Sequence, residues 1–564
     1  HVEGSFLTAN DAVFGGGIQL TYSNTAVILL NNSISHNLAL LGAGVYIGTS
    51  HHKVKISNCS IDSNFASVNG GGLFTAVDSI LEMTGNELSS NRALQGSGGA
   101  IYYESNDLIV SSSHFNNNLA GLSGGAIYSS GSNIEMAGIG FDSNAAGSFG
   151  GALCLSAAAD SNISSCSFES NIAGSHGGAL ALDGVSNLNL SDSSFHLNSV
   201  QVLTGAIAVL ASGGGNTQEV SARVGGAIFL LSSSAVLLQT SSFSNNTGEF
   251  GSAVWTAASD LSVAENSFVG NSARGGGTLY WVWNSGMSVP GGGGSVGSID
   301  VLSNEFSDNN ASYGTTWASN GHSLRSTANA AYVLMTDGNS QGFNGGSDPI
   351  QVLDFQTPMP AVSVGLYDYY GQLVVTDSSE LVTSDLSAPS TNTPSCGDSA
   401  VPAVTGETIV RLNRGVAVFS EVTAHCAPSG LLNMTMEVST ASTSSGLVGT
   451  LPQFAIARVK ITVGLRTCLP GEYYKDNICI RCPFGFYSLV DNSDLSVTEC
   501  SKCPEGAISC EGDTIELKEG YWRAANLSES PINCAFDSKS CVGGTGVGDH
   551  LCHEGYSGAL CGVC

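Results

Sequence analysis

The chain has 564 residues, with 17 Lys+Arg against 46 Asp+Glu, a formal charge of −29 and only 11% charged residues in all. Such an acidic chain repels phosphate backbones, which excludes nucleic-acid partners, and it contains no run of about 18 apolar residues that would span a bilayer. Abundant glycine (72 residues), scarce proline (13) and 42% apolar residues describe a packed chain with room for about three domains.

Residues 1–345 repeat one phrase. Phe115-Asn-Asn-Asn118, Phe141-Asp-Ser-Asn144, Phe168-Glu-Ser-Asn171 and Phe195-His-Leu-Asn198 share an apolar residue with Asn three positions later. A Gly-Gly-Ala-apolar phrase usually follows, as in Gly124-Gly125-Ala126-Ile127. With aliphatics allowed at the first position, the series runs from Leu7/Asn10 through Asn37, Asn64, Asn91, Asn118, Asn144, Asn171 and Asn198, then Asn246, Asn271 and Asn309. Its first eight members are 26 or 27 residues apart. Short alternating strands punctuated by Gly and Asn at that period predict an all-β fold, a right-handed parallel β-helix of about eleven coils. The Phe/Ile/Leu column is expected to stack inside. The Asn is expected at a corner, where it tolerates a left-handed backbone and bonds to the next Asn along the axis. With strands about 4.8 Å apart, eleven coils make a rod on the order of 50 Å long.

Two units break the period. Phe195 to Phe243 spans 48 residues and Phe268 to Phe306 spans 38. Insertions in stacked coils leave as surface loops, which are often contact surfaces. A second column follows the Gly-Gly-Ala phrase: Tyr46, Phe74, Tyr102, Tyr128, Phe229, Trp255 and Tyr280, interrupted at Cys154 and Ala181. If the preceding residue points inward, these rings point outward and are candidates for a subunit interface or a sugar platform. The bland alternative is that a neighbouring segment covers them. The Gly-Gly-Ala and Phe-x-x-Asn phrases resemble those of chlamydial polymorphic outer-membrane proteins and similar pectin-lyase-like β-helix repeats, over roughly residues 1–320. The resemblance implies a right-handed β-helix in a surface protein. The chain departs from the bacterial family in its cysteine-rich C-terminal modules.

Residues 346–466 lose the phrase and read as alternating strands, among them Val362–Asp368, Gln372–Thr376, Gly415–Phe419 and Met434–Val438. They predict an antiparallel β-sandwich similar to immunoglobulin-like surface modules, with Cys396 and Cys426 pairing inside it. Residues 467–564 hold eleven of the sixteen cysteines. Cys468, Cys479, Cys482, Cys500 and Cys503, with their Cys-Pro-x-Gly turns, resemble ephrin-receptor-like repeats, and Cys552-His-Glu-Gly-Tyr-Ser-Gly-Ala-Leu-Cys561 resembles the end of an EGF-like module. Cys510, Cys534 and Cys541 complete this group of disulfide candidates; Cys154 and Cys166 are candidates in the rod, and Cys564 is the odd one. The Cys479/Cys482/Cys500/Cys503 spacing also fits a zinc ribbon, but crowded cysteines and sequons favour disulfides in an oxidising compartment. The sequons, candidate N-glycan sites, are at Asn31, Asn58, Asn162, Asn189, Asn245, Asn310, Asn433 and Asn526.

Enzymes on this fold use clustered Asp, or an acidic cation site with an Arg or Lys base. Residues 1–345 contain six basic side chains: Lys53, Lys55, Arg92, Arg223, Arg274 and Arg325. Asp142 and Glu169 are one coil apart, but their equivalents are Asn116 and His196. His36, His51, His52, His114, His176 and His196 lack metal-ligand spacing and read as surface residues. No catalytic residue, metal or cofactor is expected. The chain reads as a mature product or fragment of an extracellular, glycosylated, non-catalytic structural protein, a subunit of a surface filament that packs against other copies or related β-helices. The alternatives are the ectodomain of a membrane-anchored adhesin or receptor, with carbohydrate as a candidate ligand, and a polysaccharide lyase or hydrolase.

Overall fold

A computed structural model describes residues 1–21, 26–48, 53–76, 79–131, 133–201, 223–257, 259–282, 303–326, 350–352, 361–378, 381–386, 403–425, 428, 431–440, 455–476, 478–492, 495–535 and 538–563. Residues 107–130 illustrate one coil. Asp107–Ser111 is a strand with Leu108 and Val110 turned inward. Ser112 takes a left-handed backbone (φ 45°) and the chain turns into the strand His114–Asn116, with Phe115 inside. Asn117 (φ 55°) makes a second left-handed corner, followed by the short strand Leu119–Ala120. Gly124 (φ 64°) and Gly125 lead into Ile127–Ser130. The second glycine is required by proximity: a Cβ on Gly125 would lie 2.0 Å from the Gly151 carbonyl oxygen of the next coil.

Stacked coils give four parallel sheets of 10, 11, 9 and 11 strands. The sense is right-handed, as expected where twisted strands return to the same sheet. About nine turns result, with partial coils at the ends. The eleven phrases match the strand number of the two longest sheets.

Inside, Phe115, Phe141, Phe168, Phe195, Phe243, Phe268 and Phe306 stack with ring centroids 4.6–5.1 Å apart. The Asn ladder runs unbroken from Asn10 to Asn309. Asn144 is typical: its Oδ1 accepts from the backbone N–H and Nδ2 of Asn118 (3.1 and 3.0 Å), while its Nδ2 donates to Phe115 O (2.9 Å) and Asn171 Oδ1 (3.1 Å). One expectation is corrected here. The ladder Asn is buried and does not carry the left-handed backbone. The residue before it does: His36, Ser63, Ser90, Asn117, Ser143, Ser170, Leu197 and Asn245 all have φ of 53–56°. The Asn amide needs four bonds, and only an inward position supplies them.

A second ladder runs along the other left-handed corner. Asn32, Cys59, Asn86, Ser113, Cys166, Ser193, Ser241 and Asn266 are all buried there. Cys166 Sγ lies 3.3 Å from Ser164 O, the bond Ser113 Oγ makes to Ser111 O at 2.8 Å. Cys59 behaves likewise toward Ser57 O. The expected disulfides at Cys154 and Cys166 are therefore corrected: both thiols are free and buried, Cys166 in the ladder and Cys154 in register between Tyr128 and Ala181 on the fourth sheet.

The residues divide into two compact units. The first is His1–Ser323 with Leu366–Ser378 and Ser439–Ile456; the second is Leu324–Gly365, Ser379–Val438 and Ala457–Cys564. Within the first, Leu366–Ser378 closes the end of the fourth sheet, whose last strand is Trp317–Ser319. Asp368 Oδ2 accepts from Ser319 N–H (3.2 Å), Gln372 Nε2 donates to Trp317 O (3.0 Å), and Tyr369 N–H donates to Ser319 Oγ (2.9 Å). Gln372–Thr376, read from sequence as a sheet strand, belongs to this closing segment. Edge backbone groups that would invite further pairing are thereby occupied.

In the second unit, Leu381–Leu386 pairs antiparallel with Ile409–Arg411 and Leu431–Thr440. Ile350–Val352 runs parallel to Val463–Leu465. Val362–Gly365 pairs antiparallel with Val416–Phe419. Val364, Val382, Ala417, Phe419, Met434, Met436 and Val438 are buried. The tail is a run of small hairpins bound by five disulfides: Cys468–Cys479, Cys482–Cys500, Cys503–Cys510, Cys534–Cys541 and Cys552–Cys561. The four cysteines with zinc-ribbon spacing are thus divided among three disulfides. Cys396, Cys426 and Cys564 lie outside the described residues, as do both period-breaking insertions, His51 and His52.

Candidate interaction surfaces

The aromatic column is a ladder of rings. Centroids are 5.0 Å apart from Phe14 to Tyr46, then 5.4, 5.1 and 5.1 Å through Phe74, Tyr102 and Tyr128. All five rings are half-buried. Because each ring covers its neighbour's face, the column offers solvent its edges and hydroxyls. Sugar stacking needs a free aromatic face, so this geometry suits side-on contact and not a sugar platform. Tyr102 donates to the Glu104 carboxylate, and burial with that neighbour raises its pKa.

The upper part of the column is a correction. Phe229, Trp255 and Tyr280 are 1%, 1% and 3% exposed and offer no interface. Neighbouring rings cover them: His176 lies edge-on to Phe229 at 4.7 Å, Phe149 approaches it at 6.2 Å, and Phe250 lies 5.1 Å from Tyr280. Phe149, His176, Val224 and Phe250 form one register column, each immediately before a left-handed glycine. That column was the missing signal. His176, expected at the surface, is 3% exposed and stacked on Phe149 at 5.0 Å. Its Nδ1 has no partner among the described residues, and burial pushes its pKa down to about 4.

The outward side of the second sheet carries the polar surface. A groove of about 390 Å³ runs over Glu87, His114, Asn116, Gly140, Asp142 and Glu169, and one of about 520 Å³ continues it over Ser167, Asp192, Ser194, Thr240, Glu265 and Glu305. Gly140 makes room for the His114 ring, which a Cβ there would meet at 2.5 Å. Asn116, Asp142, Glu169 and His196 are consecutive in register. Asp142 accepts from Ser143 Oγ (2.7 Å), and His196 Nδ1 bonds Ser244 Oγ (2.8 Å). Among the described residues, hydroxyls, amides and carboxylates line these grooves without an Arg or Lys. The surface can hold hydroxyl-rich or cationic groups.

The comparisons with known proteins bear on this architecture. A family model for the right handed beta helix region matches residues 71–268. That stretch, about a third of the chain, contains most of the inner Phe column, the middle of both ladders and most of the polar groove. No curated protein matches the chain. Proteins with this fold include enzymes and non-enzymes, so the match speaks for architecture and leaves chemistry to the site. Among the described residues no helix is long and apolar enough to cross a membrane.

The sequons sort by place. Asn31, Asn58, Asn245, Asn310 and Asn526 are exposed, while Asn162 and Asn189 are half-exposed; the side chain of Asn433 lies outside the described set. Of the three residues grouped as Cys468, Glu472 and Cys479, the two cysteines are joined in a disulfide, which leaves no metal-ligand set there.

Proposed function

We propose that this is a non-catalytic extracellular structural protein whose β-helix assembles with other copies or related subunits into a surface filament. One observation carries the reading. Around the first two coils, several outward positions are apolar and exposed: Phe6 84%, Val13 63%, Leu38 47%, Leu40 43% and Ile28 39%. In the columns of Phe6 and Ile28 the later residues include Ser33, Ser60 and Glu87, and Lys55 and Glu82. Exposed apolar side chains gathered in the first coils of the rod mark a contact with another macromolecule. The half-buried rings of Phe14, Tyr46 and Phe74 lie in the same part of the rod. An immunoglobulin-like sandwich and ephrin-receptor-like or EGF-like tail modules, in an oxidising extracellular setting, belong to the same proposal.

Electron microscopy of the purified chain at increasing concentration is expected to show rods associating through these coils. The double variant Val13→Asp/Leu38→Asp is expected to leave the circular dichroism unchanged and abolish association. Monomeric rods at all concentrations would overturn the filament reading. The disulfide-bound tail favours a second reading, the ectodomain of an adhesin or receptor, for which the same apolar coils would bind a different partner. Depolymerisation of polygalacturonate or alginate by the purified chain would overturn both.

A further inference from the structure

The β-helix places sequon asparagines in register, and register determines which of them can carry sugar together. Asn31 and Asn58 occupy the same left-handed corner in successive coils (φ 53° and 50°), between the paired residues Leu30/Ser57 and Ser33/Ser60. Asn162 and Asn189 face outward from the first sheet as direct register partners. Neighbouring coils are about 4.8 Å apart, and an N-glycan is a bulky branched group. Two glycans on adjacent coils compete for one space.

The members of each pair are not equivalent. Asn189 Nδ2 donates to Asn162 Oδ1 at 3.0 Å, and Asn189 Oδ1 accepts from Gln239 Nε2 at 3.4 Å. The atom that would bear sugar on Asn189 is therefore directed into its neighbour, whereas Asn162 Nδ2 makes no bond among the described residues. At the corner, a Cβ on Gly85 would lie 2.6 Å from Asn58 Oδ1: the Asn58 side chain leans over the next coil, where a glycine leaves room. A side chain at Asn31 leaning the same way meets Asn58. Asn245 repeats the open case, since a Cβ on Gly270 would lie 2.7 Å from its Oδ1.

We propose that the folded chain carries N-glycans on Asn58, Asn162 and Asn245, and that the fold admits only one glycan in each of the pairs Asn31/Asn58 and Asn162/Asn189. The inference rests on the extracellular reading. Transfer replaces one Nδ2–H by a bond to the anomeric carbon of a lipid-diphosphate-linked oligosaccharide; the diphosphate leaves with the bonding pair, and the amide proton is released.

The test uses the full chain secreted from a eukaryotic host. Two variants retain only Asn31 and Asn58, or only Asn162 and Asn189, the other sequons being removed by Ser/Thr→Ala at their third residue. Intact mass before and after glycan removal is expected to show one glycan per folded molecule in each, predominantly on Asn58 and on Asn162, and a glycan on Asn245 in the unmodified chain. Adding Asn58→Gln is expected to raise occupancy at Asn31. Folded molecules carrying two glycans in either variant, sugar predominantly on Asn189, or bare Asn58, Asn162 and Asn245 in this host would each overturn the proposal. Bare sites in protein from its native source, with the secreted form glycosylated as expected, would overturn the extracellular reading alone.

Discussion

At the residue scale, stability depends on side chains that close hydrogen bonds between coils. Replacing Asn144 by Ala removes four bonds, to Asn118, Phe115 and Asn171, and leaves their partners buried. Each unsatisfied group costs about 1–3 kcal/mol, so Asn144→Ala is expected to destabilise by about 4 kcal/mol in urea titration. The thiols make a sharper case. Cys166→Ser restores the hydroxyl that Ser113 and Ser193 use in the same ladder and is expected to shift stability by less than about 1 kcal/mol. Cys166→Val removes the thiol's backbone bonds to Ile139 and to the Ser164 carbonyl, which keeps its bond from Gly138 N–H, and is expected to cost about 1–3 kcal/mol. Burial holds the thiol pKa of Cys154 near 12 and raises that of Cys166. Neither is expected to react with iodoacetamide until the chain unfolds. Fast alkylation of Cys166 in the native protein would contradict its place in the ladder.

At the element scale, the legibility of the sequence followed the periodicity. The Phe column, the Asn column and the glycine pairs were visible because each recurs at one spacing and each side chain meets its own kind. What escaped had a physical reason. Both the left-handed corner and the ladder hold Asn in Asn117-Asn118 and Asn245-Asn246, so spacing alone did not tell which was buried. Ser and Cys share the second ladder, which disguised Cys166 as a disulfide candidate. The burial of Phe229, Trp255 and Tyr280 depends on a column of different residues, and the closing segment Leu366–Ser378 is far away in sequence.

His176 belongs to that hidden column, and its effect on pH dependence has a definite sign. Its pKa is about 4 in the folded chain and about 6.5 when unfolded, so the unfolded chain takes up the proton first. The stability associated with neutral His176 is full above about pH 6.5, declines as pH falls toward about 4, and changes no further below. The total is on the order of 3 kcal/mol. His176→Phe places in this position the residue that Phe149 and Phe250 supply in the same column. Urea midpoints of this variant are expected to fall less than those of the parent between pH 7 and pH 4. Equal pH dependence in the two proteins would mean that His176 is not buried neutral.

At the scale of the whole molecule, the rod is a one-dimensional stack whose coils are coupled by nearest-neighbour bonds. The first insertion tests this. Gln201 N–H donates to Ala173 O, as Gly174 N–H donates to Ala146 O one coil earlier, while Val224 bridges His176. Gln201 and Arg223 therefore stand where Gly174 and Ser175 stand, as neighbours in the coil, and the ladder passes the insertion intact from Asn198 to Asn246 at 3.1 Å. Removing residues 202–222 and joining Gln201 to Arg223 returns the Asn198–Asn246 separation to the 27 residues that divide Asn171 from Asn198. A loop contributes little to stability beyond the slowly varying entropy of closing it, about 0.6 kcal/mol per doubling of length. The shortened chain is expected to keep its β-sheet circular dichroism and a Tm within a few degrees of the parent. If the insertion is a contact surface, association between rods weakens while the fold persists. A shortened chain that fails to fold, or that unfolds in two separate steps on either side of the junction, would show that the insertion is part of the stack.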